Sequence, residues 1–557
     1  MKFIIYQVLP RLFGNFCTTN KHNGTIEDNC CGKFNSFSDK ALDELRNFGV
    51  THIYFTGILE HATRTDYSQF GIARDHPKIV KGNAGAPFAI KDYYDVDPDL
   101  SDDVPNRMAE FEALVERTHR ARLKVIIDFI PNHVARQYFS DAKPAGVEDF
   151  GQKDNPAWAF SPLNSFYYIT NEAFAPDFDI EDYREFPAKV TGNDQFTAHP
   201  KRQDWYDTVK LNYGVNYMEN HQEQFEPMPD TWLKMRDILL FWAAKGIDGF
   251  RCDMAEMVPV LFWNFAISSV KKLFPQMIFI GEAYNPAEYR NLICNGKFDY
   301  LYDKVGLYNT LRDILTRGQK ANHITYAWQF LGEIKDKMLN FLENHDEQRI
   351  GSGFFCGDGV YAQPAMIIVA TLTNAPYMLY FGQETGELGM NSEGFSGVDG
   401  RTSIFDYCAM SSFQNWTNGG KFDGALLSDE QKKLRTFYKT LNHIALNEKA
   451  ITQGQMYDLE YANFNNPKFN AHKQFAYIRK FEKEIIFVVV NFQDTALETE
   501  INMPAEMFMF FEMPEGNQYS CLNLLDTTEL TEEIVLSSEH PFRTTLAAWK
   551  GKIFKLY

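Results

Sequence analysis

Four stretches of the chain put charged side chains where a buried β-strand should end: KVIIDFIPNH (124–133), GFRCDMAE (249–256), MIFIGEAY (277–284) and MLNFLENHDEQR (338–349). Taking an isolated charge out of water costs several kcal/mol, so carboxylates at the tips of apolar strands need a shared compensating site. Asp128, Asp253, Glu282 and Asp346 are the candidates, distant in the chain but able to meet if their strands lie side by side. Arg251 stands two residues before Asp253, so on a strand the two side chains point the same way. An adjacent guanidinium favours the ionised carboxyl and suits Asp253 to act as a nucleophile. Glu282 ends a more apolar strand, where desolvation raises a carboxyl toward the range a general acid needs at neutral pH. Two carboxyls differentiated in this way can break a glycosidic bond, one attacking the anomeric carbon and the other protonating the leaving oxygen.

Any one of these residues alone would read as part of a salt-bridge network; four at successive strand ends point to a site. His133 and His345 each neighbour one of the acidic segments, in PNH and NHD, and suit hydrogen bonding to sugar hydroxyls. Metal chemistry has less support, because there is no H-E-x-x-H or paired-His spacing. The glycine-rich GSGFFCG (351–357) has no phosphate-loop lysine and reads as a flexible loop beside the site.

The elements that must position these residues alternate short β-branched or aromatic runs with segments of helical period, the mark of β/α units around a parallel sheet. Strands are expected at Phe3–Val8, Thr51–Thr56, Lys124–Phe129, Gly249–Asp253, Met277–Glu282, Phe298–Tyr302, Met338–Leu342 and Tyr377–Phe381. Helices are expected at Arg107–Arg122, Thr231–Lys245, Pro259–Leu273 and Gln363–Thr373. Eight repeats predict an α/β fold, a (β/α)8 TIM barrel whose strand tips converge at the C-terminal face. Two long connections leave that face: Thr56–Asp95, and a stretch from Val134 to Met228 rich in Asn, Asp, Pro and aromatics that reads as a loop-rich inserted domain. After a helix at Ser428–Asn447 the pattern changes to short alternating runs, an antiparallel β-sandwich. The expected division is 1–133 for the first part of the barrel, 134–228 for the insert, 229–452 for the rest of the barrel and 453–557 for the sandwich.

Composition narrows the partners. The 557 residues carry 74 acidic and 55 basic side chains, a net charge of -19, without the broad positive field that nucleic acid or anionic lipid would need. No apolar run reaches the roughly 18 residues of a membrane span. Aromatic residues make up 15%, mostly core filler with a few candidate sugar platforms. The eight cysteines lack zinc-like spacing and read as free thiols, with adjacent Cys30 and Cys31 the only hint of a disulfide. MKFIIYQVLPRLFGN reads as a first strand rather than a secretion leader, so a cytoplasmic location is expected.

Asp128–His133 (DFIPNH), Gly249–Asp253 (GFRCD), Gly281 with Glu282, and Asn344–Asp346 (NHD) resemble, in order, the four short conserved regions of the α-amylase family of glycoside hydrolases. The resemblance spans the whole chain, and implies a barrel with domain B inserted after strand 3 and a C-terminal β-sandwich. It implies Asp253 as nucleophile, Glu282 as general acid/base and Asp346 as the acid that stabilises the transition state. It also implies Asp128, Arg251, His133 and His345 around the reacting glucose, with Tyr93 in KDYYDVDP as the tyrosine stacked on that ring. Asn132 matches the family's calcium-ligand asparagine, which makes calcium the one metal expected, with no organic cofactor. Met257 replaces the histidine whose carbonyl often completes that site, and Glu256-Met257 looks closer to the neopullulanase-like pattern. Asn212 in VKLNY resembles the short region closing domain B. The activity so implied is retaining hydrolysis of α-1,4-glucosidic bonds in starch-like polysaccharide or maltooligosaccharides. The alternatives are a 4-α-glucanotransferase or α-1,6-active member of the family, or a non-catalytic carbohydrate-binding or assembly relative. Oligomeric state is not legible.

Overall fold

The computed structural model describes residues 2–389, 394–529 and 531–557. Eight parallel strands close a barrel: β1 (Ile4–Val8), β2 (His52–Phe55), β3 (Lys124–Phe129), β4 (Gly249–Cys252), β5 (Ile278–Gly281), β6 (Tyr300–Tyr302), β7 (Met338–Phe341) and β8 (Tyr377–Tyr380). Each pairs with the next in chain order, and β8 returns to β1 with Tyr377 opposite Ile4. All eight expected strands are present, each within two residues of its expected ends. Only Lys124, Ile278 and Tyr300 among their residues are not buried, which is why they read as near-continuous apolar runs rather than alternating ones.

The helices cover the barrel from outside. Arg107–Arg120 buries Phe111, Leu114, Val115 and Thr118, a stripe at helical spacing. Gln363–Thr371 is buried at every position. Its second cover is the C-terminal region, where β9 (Gln455–Asp458), β10 (Gln474–Phe481), β11 (Glu484–Asn491), β12 (Leu497–Ile501), β13 (Gln518–Asn523), β14 (Glu532–Val535), β15 (Phe542–Leu546) and β16 (Gly551–Leu556) form an antiparallel six-stranded sheet, β9-β10-β11-β16-β13-β14, and a separate β12–β15 pair. Phe487, Ile501, Phe542, Leu546 and Phe554 belong to a second core there. The buried Arg479 on β10 crosses to the barrel, donating to the Leu372 carbonyl at 2.6 Å and to those of Ala450 and Gly454 at 2.9 Å.

Two connections rise over the strand tips. After β2, Leu59–His61 pairs antiparallel with Ile90–Val96. Between β3 and the helix Asp230–Ala244 there is no helix, only short ribbons: His133–Ala135 with Thr208–Lys210, Tyr168–Ile169 with Ala188–Lys189, and Val215–Asn216 with Gln222–Glu223.

The expectation of free thiols fails for one pair. Cys17 and Cys30 are disulfide-bonded with Cα atoms 6.0 Å apart, while Cys31, Cys252, Cys294, Cys356, Cys408 and Cys521 take no part in a disulfide. Local hydrogen bonds fold that segment back on itself. Thr25 and Asp28 form a capping box on Ile26–Asn29, and the Asn29 side chain both accepts from the Lys21 amide and donates to its carbonyl.

Candidate active site

The tips of β3 and β4 are in register, with Asp128 opposite Arg251. Arg251 is fully buried and reaches three acids: Nη1 lies 2.6 Å from Asp253 Oδ1 and 3.4 Å from Asp128 Oδ1, and Nη2 lies 2.9 Å from Glu282 Oε1. Asp128 also accepts from the Tyr54 hydroxyl on β2 and from the Gly57 amide at 3.2 Å. Glu282 accepts from the Tyr284 hydroxyl at 2.5 Å and from the Met254 amide at 2.8 Å. Met254 holds that amide in place from the left-handed region, φ 45°, a conformation that costs a non-glycine residue about 1–3 kcal/mol and recurs at functional sites. Beyond β7, Asn344 Oδ1 accepts from the amides of Asp346 and Glu347, both at 3.0 Å. This turn brings Asp346 Oδ2 to 3.1 Å from His345 Nε2, and the Gln7 amide of β1 steadies the other ring nitrogen at 2.8 Å.

These residues sit in unequal fields. Burial pushes Glu282 up to about 7, Arg251 pulling down against it and Asp253 and Asp346 adding to the rise. Asp346 is pushed up by burial too, but His345, Arg251 and Arg401 together hold it down at about 2. For Asp253 the sequence expectation is only partly met: the Arg251 bond is there, yet burial outweighs it and the net direction is upward. His133 is driven by burial down to about 4 and is neutral at pH 7.

A cavity of about 560 Å³ opens over these groups, lined by Asp253, Glu282, Asp346, His133 and His345. Arg251 and Asp128 form the layer beneath. Lys81, Phe88, Trp205, Asp207, Tyr284 and Arg401 also line the cavity and were not singled out from the sequence. They come from the two long connections and from segments beyond strand tips, whose positions depend on tertiary packing rather than on local pattern. Phe88 stacks on His345, ring centroids 4.9 Å apart at 24°, and its face lies 5.5 Å from the Arg251 guanidinium.

Two expectations need correction. Tyr93 does not face the cavity. It is 0% exposed, its hydroxyl donates to the Ile130 carbonyl, and its ring packs against Tyr138 and Phe150. The strand Ile90–Val96 is buried on both faces, so Tyr93 turns into the interior and Phe88, just before that strand, supplies the aromatic wall. The surroundings of Asn132 do not fit calcium. Its Oδ1 accepts from Lys210 Nζ at 3.0 Å, and the buried Lys210 is paired with Asp194 at 2.5 Å, so an ammonium already takes the oxygens a metal ion would use. Asn132 Nδ2 donates to the Gly192 carbonyl at 2.8 Å. Asn212 ties the insert together, donating to the carbonyls of Ser161 at 2.7 Å and Asn164 at 2.9 Å.

The same architecture appears in known proteins. The alpha amylase catalytic domain model matches residues 7–418. Neopullulanase 2 of Thermoactinomyces vulgaris is 23% identical over 99% of this chain and 77% of its own length. Alpha-amylase 3 of Dictyoglomus thermophilum is 23% identical over 88% of this chain and 84% of its own. Among solved structures, a maltogenic alpha-amylase from Thermotoga neapolitana superposes with a TM-score of 0.62 at 18% identity, covering 100% of this chain and 98% of that one.

Proposed function

Because this chain belongs to the alpha-amylase family of glycoside hydrolases, we propose that it cleaves α-1,4-glucosidic bonds of starch-like polysaccharide or maltooligosaccharides with retention, through a glycosyl intermediate on Asp253. The observation that carries this reading is that Arg251 gathers Asp128, Asp253 and Glu282 at the cavity floor while burial lifts Glu282 to about 7. Asp253 attacks the anomeric carbon as Glu282 gives its proton to the leaving oxygen; water, deprotonated by Glu282, then releases the sugar from Asp253. Asp346, held ionised by His345, supports the positive charge that develops on the sugar ring. Neutral His133 offers a hydrogen bond to a hydroxyl, the His345 ring, held at both nitrogens by Gln7 and Asp346, fixes the Asp346 carboxylate toward the sugar, and the Phe88 face offers an apolar platform to the sugar ring.

A second reading, transfer to another glucan by a 4-α-glucanotransferase, has support in the apolar surface that Tyr284, Val305 and Phe405 each contribute to the cavity lining, where an acceptor sugar can displace water. Product sizing after incubation with maltoheptaose separates the readings. Shorter products alone support hydrolysis, a redistributed ladder supports transfer, and no change at all overturns both in favour of a binding protein.

No described helix is long and apolar enough to cross a membrane. A cytoplasmic place of work would make the Cys17–Cys30 bond exceptional, since cytosolic thiols are kept reduced. Alkylation of the protein as isolated, with and without reductant, decides whether that pair is oxidised.

A further inference from the structure

The ribbon that follows β2 sets two acids directly across from one another. Glu60 is the register partner of Asp92, with an irregularity in the pairing on either side of Glu60. Like charges opposite each other on an antiparallel pair are destabilising, and here the pair is also out of water, Glu60 being 1% and Asp92 0% exposed. Asp92 is well provided for: it accepts from the Tyr94 amide at 2.7 Å, the Ser140 hydroxyl at 2.6 Å and the Ala142 amide at 3.1 Å. Glu60 is not, because both of its carboxylate oxygens are buried and neither has a hydrogen-bond partner. The neighbouring cation, Lys91, is engaged by the Ala73 carbonyl and by Asp75 at 3.1 Å. A third acid, exposed Asp141 from the inserted stretch, completes the group, and one oxygen from each of the three lies within 4.8 Å of the others. Calcium holds its oxygen ligands at about 2.3–2.6 Å, so oxygens on opposite sides of one ion stand about 5 Å apart, and all three acids can reach a single ion.

We infer that Glu60, Asp92 and Asp141 form a site for a hard divalent cation, with calcium the best fit, that pins the ribbon after β2 to the inserted stretch. The site is separate from Asn132, where Lys210 already supplies the positive charge. Glu60 brings two unused oxygens, and the exposure of Asp141 gives the ion a way in and lets water complete its shell. The ion gives the facing carboxylates the counter-charge that Lys91, turned to Asp75 and the Ala73 carbonyl, supplies only from a distance. It also steadies, from behind, the ribbon whose leading end carries Phe88 into the cavity. Without an ion, burial first and then the two neighbouring acids favour a proton on Glu60, and that is the competing state.

The test uses the full chain, stripped with EDTA, desalted and titrated with calcium chloride by calorimetry and by thermal unfolding. The expected result is one strong site per chain and a rise in Tm of several degrees. Asp141→Asn, at an exposed position, should weaken calcium binding at least tenfold, and Glu60→Gln should abolish it. Absence of binding and of any Tm shift in the unsubstituted protein up to about 10 mM calcium, beyond the weakest range of protein calcium sites, would overturn the inference. So would calcium affinity left unchanged by Asp141→Asn, the decisive variant if Glu60→Gln fails to fold.

Discussion

Arg251 makes contact with three acids, and the cavity's chemistry follows from how unequally burial and charged neighbours act on the carboxyls gathered there. Asp253 has the 2.6 Å bond and Glu282 the 2.9 Å contact, but Glu282 is lifted to about 7 while Asp346, paired with His345, stays near 2. Asp253→Asn should therefore lose at least about a thousandfold in kcat/KM on maltoheptaose with Tm and sugar binding retained; activity near that of the parent would sink the assignment. Glu282 must carry its proton to act as an acid, so the profile of kcat/KM should fall as pH rises past about 7. The Tyr284 hydroxyl donates to the Glu282 carboxyl and so favours its ionised form. Tyr284→Phe should move the alkaline limb to higher pH, and a limb that stays put would assign it to another group. The acids and Arg251 were legible because strand tips offer few places for charge. Phe88 was not, since an aromatic residue in a proline- and glycine-bounded loop says nothing about which way it faces, and the resemblance that singled out Tyr93 does not say which way a ribbon buried on both sides turns its ring.

At the scale of elements, short hydrophobic runs between turn residues located the barrel strands, because a parallel strand buried on both faces must be apolar throughout. The inserted stretch resisted such reading: its ribbons are two or three residues long and are held by contacts between distant segments. Lys210 shows how. It joins Asn132, just past β3, to Asp194 deep in the insert, and no local pattern marks it as anything but a surface lysine. Lys210→Met leaves Asp194 and the Asn132 oxygen facing an apolar chain, and because the Asp194 side chain is 25% exposed the cost lies at the low end of the range for a buried ion pair, up to about 3 kcal/mol. Chemical denaturation should show a loss of that order. A loss within experimental error would mean that water, or a cation, takes over from the ammonium.

For the molecule as a whole, the C-terminal sheet belongs to the barrel's own core. Gln363–Thr371 is buried at all positions, and Arg479 spans the junction with four main-chain carbonyls as acceptors, among them Leu372 and Ile451. A chain ending at residue 452 should consequently be largely insoluble, or expanded on size exclusion; a compact, active truncation would show that the sheet is an appendage. The closure of the barrel also has a consequence in time. Ile4 lies in register with Tyr377, about 370 residues later, so the first strand emerges from the ribosome long before its partner exists. At about 5–20 residues per second the wait is roughly 20–75 seconds. During that interval Ile4–Val8, five residues destined to be fully buried, presents an open strand edge, and the nascent chain is a natural client for factors that shield apolar segments until synthesis has passed β8.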